Sequence, residues 1–151
     1  MPLTNMQGID IEGTSVLIAR VVLWMGHRQG IELYGEAEPA LPLLALDGVR
    51  REDALRATWP ETDAIIGNPP FLGASHVRGV LGEEFVGWIK REFGVGVKDL
   101  CVYWFRRAQD HLRHGQRAGL VGTNSISQNL GRSASLDYVV ANGGVITDAE
   151  T

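Results

Sequence analysis

The stretch Asp63-Ala64-Ile65-Ile66-Gly67-Asn68-Pro69-Pro70-Phe71 decides how the rest of the chain is read. A short apolar run at residues 63–67 predicts a strand. The two prolines after it fix two φ angles and remove two N–H donors. They also push the residue before them, Asn68, into extended geometry. The strand must therefore end at Gly67 and pass into a stiff, extended turn whose backbone carbonyls have no local partners. Asn68 adds a side-chain acceptor to that turn, and Phe71 adds a flat apolar face.

Outward from this junction the chain alternates between short apolar runs and helical patterns. Gly8-Ile9-Asp10-Ile11 reads as the end of a strand. Residues 13–28 read as a helix whose apolar side chains (Val16, Leu17, Ile18, Val21, Val22, Leu23, Trp24 and Met25 among them) surround most of its circumference, which predicts burial. Residues 31–34 offer a short strand, residues 43–46 another, and residues 118–122 a third buried one. A short helix is expected near residues 83–91. Residues 99–114 predict a helix with a stripe of Leu100, Trp104, Ala108 and Leu112 flanked by Cys101 and Phe105, with Asp99 suited to its N-terminal dipole and Gly115 as its stop. Residues 132–141 predict a further helix and residues 144–147 a last strand. Apolar strands alternating with helices imply an α/β fold with a mostly parallel sheet covered by helices on both faces. Ligands of such sheets bind beyond the carboxyl ends of the strands. Asp10, Asp53 (after the strand expected at residues 43–46) and Asn68 all fall at such ends.

The Asn68-Pro69-Pro70-Phe71 set suits a planar ring carrying an exocyclic amine. The lone pair of that amine is delocalised into the ring, so the nitrogen is a poor nucleophile. The Asn68 side-chain oxygen and the Pro69 carbonyl together accept both amine hydrogens, which favours a tetrahedral nitrogen able to attack a methyl donor. Phe71 stacks on the ring, a contact worth roughly 1–3 kcal/mol per base. This is catalysis by positioning and electrostatics.

Composition sets the outer bounds. The 151 residues are 44% apolar and 21% charged, which suits one soluble domain over residues 1–151. A net charge of −4 is not that of a free-standing nucleic-acid-binding domain, so a DNA-directed role calls for other segments to supply phosphate contacts. Cys101 is the only cysteine, which excludes an intrachain disulfide and fits a reducing compartment. The longest apolar run, residues 16–26, is too short to span a bilayer and contains Arg20. With no signal-peptide pattern, the expectation is a cytoplasmic protein with no membrane partner. His27, His111 and His114 lack metal-ligand spacing with any cysteine pair, so no metal site is expected.

The nine residues from Asp63 to Phe71 resemble the catalytic motif of amino-group DNA methyltransferases. The similarity covers residues 7–148 and is closest to the methyltransferase part of single-chain restriction–modification enzymes acting on adenine N6. The resemblance implies a partial Rossmann-like class I fold that binds S-adenosyl-L-methionine. It implies that Asp10 takes the ribose hydroxyls of the cofactor, that Ile11 packs on its adenine and that Asp53 holds the adenine amine. It assigns Asn68, Pro69, Pro70 and Phe71 to the flipped target adenine, with Asn68 also beside the cofactor. Asp99-Leu100-Cys101-Val102-Tyr103-Trp104-Phe105 resembles the family's helix after the catalytic loop, and Thr123-Asn124-Ser125-Ile126 resembles its next loop.

The family's glycine-rich loop and its target-recognition domain have no counterpart here. The expectation is of a piece to which fused segments or a partner chain supply both, with an exposed sheet edge open to dimerisation. Cytosine-N4 or protein-glutamine methylation and a non-catalytic interaction module stand as alternatives. Each residue also has a plainer role open to it. Asp10 fits a surface acid, Asp53 a charged turn, Trp104 and Phe105 core positions, Asn124 and Ser125 caps, and His76 and Arg78 a solvated loop.

Overall fold

The computed structural model describes residues 3–35 and 46–150. They fall into two compact units divided between Pro60 and Glu61.

In the first unit, strand β1 (Gly8–Asp10) runs parallel to strand β2 (Val49–Arg51), with Gly8 opposite Val49 and Asp10 opposite Arg51. Helix α1 (Gly13–Tyr34) leaves directly after β1. Its Val16 packs into a small core with Leu3, Leu46 and Val49, and Ala19, Leu23 and Trp24 lie against that core. These positions recur every three to four residues and form one helical stripe. Arg20 lies within the stripe because its guanidinium donates to the Val49 carbonyl at 2.7 Å.

Two expectations fail on α1. The helix was expected to be buried around most of its circumference, yet Leu17, Ile18, Val21, Val22 and Met25 are each more than half exposed. Two strands can cover one stripe of a helix, and these residues fill the opposite one. The short strand expected at residues 31–34 is instead the last turn of α1. An Arg28–Glu32 ion pair at 3.9 Å spans that turn, and the Gly35 N–H closes it on the Ile31 carbonyl. Extending a formed helix adds one hydrogen bond per residue fixed, which outweighs weak local strand preference. Of the strand expected at residues 43–46, residues 43–45 lie outside the described residues, and Leu46 is a buried loop position before β2.

In the second unit, strand β3 (Ala64–Gly67) is parallel to strand β4 (Arg117–Leu120), with Ala64 opposite Arg117 and Gly67 opposite Leu120. Both strand pairs are thus parallel, as expected of an α/β chain. Full burial of these strands was expected and is not found: Ile66 is 87% exposed, and β4 is exposed over residues 117–119. The apolar mass of this unit gathers around its helices. Helix α2 (Ala74–Phe93) and helix α3 (Val102–His111) bury Val77, Val86, Ile89, Phe93, Val102, Tyr103 and Ala108.

Helix α2 is much longer than the short helix expected near residues 83–91. It comprises two segments joined at Gly82, whose φ of 81° is open to glycine and costly for other residues. An Arg78–Glu83 ion pair spans the join. Helix α3 is shorter than expected, because Asp99, Leu100 and Cys101 form a turn before it. Its buried side differs from the expected stripe. Leu100, Cys101, Val102, Tyr103 and Ala108 are buried, whereas Trp104, Phe105 and Leu112 are half-buried.

The helix expected at residues 132–141 is two short ones, α4 (Asn129–Ala134) and α5 (Leu136–Ala141). Between them the buried Ser135 leaves helical geometry, and its hydroxyl donates to the Gly131 carbonyl at 2.7 Å. Residues 144–147 form no strand.

Phe93, at the end of α2, meets Tyr103 at a centroid distance of 5.0 Å and Trp88 edge-on at 5.9 Å. The buried Tyr103 hydroxyl donates to the Gly96 carbonyl and accepts from the Lys98 N–H. Arg106 binds the remaining helix ends together: it donates to the carbonyls of Phe93 at 3.0 Å and Ala134 at 3.3 Å, and it stacks 3.7 Å over the Tyr138 ring. Replacing it leaves two part-buried carbonyls unpaired. Arg106→Ala should lower the unfolding free energy by about 2–4 kcal/mol in urea titrations. A loss well under 1 kcal/mol would contradict this role.

Candidate active site

The sequence-derived site residues fall into two groups, one in each unit. In the first unit, Asp10 closes β1 and Asp53 lies two residues past β2, so both stand at the carboxyl ends of paired parallel strands. The strand immediately before Asp53 is Val49–Arg51. One Asp10 carboxylate oxygen accepts the Glu12 N–H at 2.7 Å. Ile11 is 64% exposed, and its carbonyl accepts from the Arg51 side chain at 3.1 Å. Asp10 and Ile11 thus present a carboxylate and an apolar side chain together at the strand end.

Asp53 is more committed. One of its oxygens accepts the Leu55 N–H at 2.9 Å, and the other lies 3.6 Å from the Arg56 guanidinium. Its carbonyl accepts the N–H groups of Arg56 and Ala57. It therefore organises a turn that buries Leu55, and an incoming amine must compete with Arg56 for the carboxylate.

In the second unit, Asn68-Pro69-Pro70-Phe71 leaves the carboxyl end of β3. The ladder continues one step further, with the Val121 N–H on the Gly67 carbonyl at 3.0 Å, and then stops because the prolines have no N–H to offer. Pro69 is buried while Asn68 and Pro70 are exposed, and Phe71 is 53% exposed. Among the described residues, no hydrogen bond occupies the Asn68 side chain. The turn therefore presents a free amide and an uncovered aromatic face from a rigid base. The loop after β4, with Thr123, Asn124 and Ser125, leaves the same edge of the strand pair. In that loop the Ser127 hydroxyl donates to the Asn124 side chain at 2.9 Å. His76 pairs with the Ser75 hydroxyl at 3.1 Å, and Arg78 is held by Glu83.

Asp99 was expected only to suit a helix dipole. Its position shows more. One carboxylate oxygen accepts the Ala74 N–H at 2.8 Å, which caps α2, whose own N-cap residue, Gly73, has no side chain. The other oxygen meets the hydroxyls of Ser125 and Thr123, the latter at 3.3 Å. The two hydroxyls lie 2.6 Å apart, and Cys101 Sγ is 3.7 Å from Thr123 Oγ1. Each hydroxyl has one proton to donate. The short contacts are all satisfied when Cys101 donates to Thr123, Thr123 to Ser125, and Ser125 to the Asp99 carboxylate.

The signal for this role is a long-range one. The residues that meet at Asp99 lie 24–26 positions from it in sequence, and Thr123 and Ser125 stand on the loop that follows β4, the partner of β3.

Burial raises the Asp99 pKa, but the hydrogen bonds from Ser125, Ala74 and Thr123 outweigh it and hold the carboxyl below its ordinary value of 3.8. The charged form is the one the fold stabilises. Its contribution is complete above the unfolded-state pKa and disappears as pH falls through the lower folded value. Urea midpoints of the wild type and Asp99→Asn should differ most at neutral pH and draw together below about pH 4. A gap that does not change with pH would contradict the assignment.

Among the described residues, no group of three or more His, Cys, Asp or Glu side chains is placed to hold a metal ion, and no helix is long and apolar enough to cross a membrane. No curated protein and no solved structure gives a significant match to the chain. The family model described as MmeI, DNA-methyltransferase domain, matches residues 1–149. Nearly the whole chain is covered, including both groups of site residues, and the chain therefore belongs to the MmeI DNA-methyltransferase domain family.

Proposed function

We propose that this chain is the catalytic region of a restriction–modification enzyme that methylates the N6 amine of adenine in DNA, with S-adenosyl-L-methionine as methyl donor. The observation that carries the proposal is the Asn68-Pro69-Pro70-Phe71 turn at the carboxyl end of a parallel strand, with the Asn68 amide unpaired and Phe71 open, in a chain of a DNA-methyltransferase family. Parallel strands with helical connections and a site at their carboxyl ends agree with a Rossmann-like parent fold.

The target adenine must leave the duplex stack to reach such a turn, as bases do in enzymes that modify them. Phe71 stacks on the extruded ring. The Asn68 side-chain oxygen and the Pro69 carbonyl accept the two amine hydrogens, which draws the nitrogen lone pair out of conjugation. The prolines hold these acceptors in place, so little reorganisation is needed as charge develops on nitrogen.

The residues of the first unit fit a nucleoside-bearing cofactor. Asp10 has a carboxylate oxygen to spare for ribose hydroxyls, and the exposed Ile11 offers an apolar surface to a purine. Asp53 fits the purine amine when Arg56 yields its place. The cofactor supplies the electrophilic methyl group.

Removing the Asn68 amide takes away an acceptor used only as the nitrogen changes geometry. Asn68→Ala should lower kcat for methyl transfer to duplex DNA by about 10²–10³-fold, with the affinity for S-adenosyl-L-methionine nearly unchanged. Retained activity in this variant would sink the catalytic assignment. Asp10→Ala should instead weaken cofactor binding in calorimetric titration by about tenfold or more, in line with losing hydrogen bonds to a charged group. Equal affinity in that variant would remove Asp10 from the cofactor site.

A further inference from the structure

We propose that Asp99 is a positioning residue that clamps the Asn68-Pro69-Pro70-Phe71 turn to the loop carrying Thr123 and Ser125. The inference deepens the methyltransferase reading and rests on it for its catalytic consequence, but the clamp itself is a property of the fold.

Beyond Gly67 the β3–β4 ladder has no further rung to offer the proline turn. The turn is held at its far end: the Leu100 N–H donates to the Leu72 carbonyl at 2.9 Å, and the Asp99 carboxylate takes the Ala74 N–H at 2.8 Å. The second Asp99 oxygen accepts from the Ser125 hydroxyl of the opposite loop, and the Thr123 hydroxyl lies 3.3 Å from the same oxygen. One carboxylate therefore joins two segments that share no backbone hydrogen bond past Val121.

Ser125 is also fixed from behind. A Cβ added at Gly131 would collide with the Ser125 carbonyl oxygen, so the backbone of α4 rests against this loop. The Ser135 hydroxyl donates to the Gly131 carbonyl and lies 3.4 Å from that of Ile126, next to this backing. The chain of support runs from Ser135 through Gly131 to Ser125, then through Asp99 to Ala74 and the turn. Asp99 touches neither base nor methyl donor in this scheme. It fixes where the Asn68 and Pro69 acceptors stand.

Hydrogen exchange followed by mass spectrometry on the full chain tests the clamp, with Asp99→Ala, Ser125→Ala and Ser125→Thr. Ser125→Ala is the decisive variant because Ser125 lies on the opposite loop and its hydroxyl is linked by hydrogen bonds to the segment after the turn through Asp99. It should speed exchange at the Ala74 amide by about tenfold, while residues 64–67 and 117–120 keep their protection. Ser125→Thr retains the hydroxyl and should restore the wild-type pattern. Exchange that rises only at residues 123–127 would overturn the clamp and leave Asp99 as a cap of α2.

Should Asp99→Ala fail to fold, the two Ser125 variants decide the question. In methyl-transfer assays Ser125→Ala should reduce kcat about tenfold with KM for DNA and cofactor little changed. Exchange coupling in the wild-type chain, with no methyl transfer by the enzyme that carries it, would refute the functional reading while the clamp stands. An active wild type without the coupling would refute the clamp alone.

Discussion

The carboxylate of Asp99 is the constraint on which the second unit depends. Parallel pairing of β3 with β4 brings two loops out at one edge, but backbone pairing ends where the prolines begin. Past that point no ladder can set one loop against the other, and side chains must do it. A carboxylate suits this task because its two oxygens accept from different directions, and each bond to it is charge-assisted. Its position at the N-terminus of α2 adds favourable dipole interaction with the same negative charge. The chain of donors from Cys101 through Thr123 and Ser125 ends on it, so the buried thiol and both hydroxyls have a common orientation.

The first unit relies on a comparable device with a cation. Arg20 stands in an otherwise apolar stretch of α1, where pattern alone gives it no place. It pairs with the Val49 carbonyl, at the start of the strand that runs alongside β1. The helix is thereby fixed to the strand pair by one polar contact and one apolar stripe. Asp53 completes the unit by folding the chain back after β2, with Leu55 almost fully buried beneath that turn. A residue that organises a turn and also faces ligand must divide its carboxylate between the two tasks. Asp10 makes the corresponding bond to the Glu12 N–H but, among the described residues, has no counterpart of the Arg56 ion pair.

Much of the candidate site was legible in the sequence, because its signals are local. Proline removes donors and fixes φ wherever it stands, so the end of β3 and the rigid turn at Asn68-Pro69-Pro70-Phe71 follow from the letters alone. The acids at strand ends were equally visible, although the strand preceding Asp53 proved to be Val49–Arg51. Helix lengths were less legible. Gly82 gives no local sign of whether it ends a helix or bends one, and the Arg28–Glu32 pair extends α1 through residues that by themselves suit a strand. Burial was the least legible property. Leu17, Val21 and Ile66 have the chemistry of core residues, but burial depends on what packs against them, and a two-stranded pair covers little. The Asp99 cluster was hidden for a related reason, since its members are distant in sequence and no local pattern joins them.

On the function proposed above, this fold delivers a methyl group to an exocyclic adenine amine. The most direct measurement is to incubate the protein with duplex DNA and methyl-labelled S-adenosyl-L-methionine, digest the DNA to nucleosides and identify the labelled base. Label is expected in N6-methyladenine, and none when Asn68 is replaced by alanine. Label confined to cytosine or to protein glutamine, or label in adenine that survives the loss of Asn68, would contradict it.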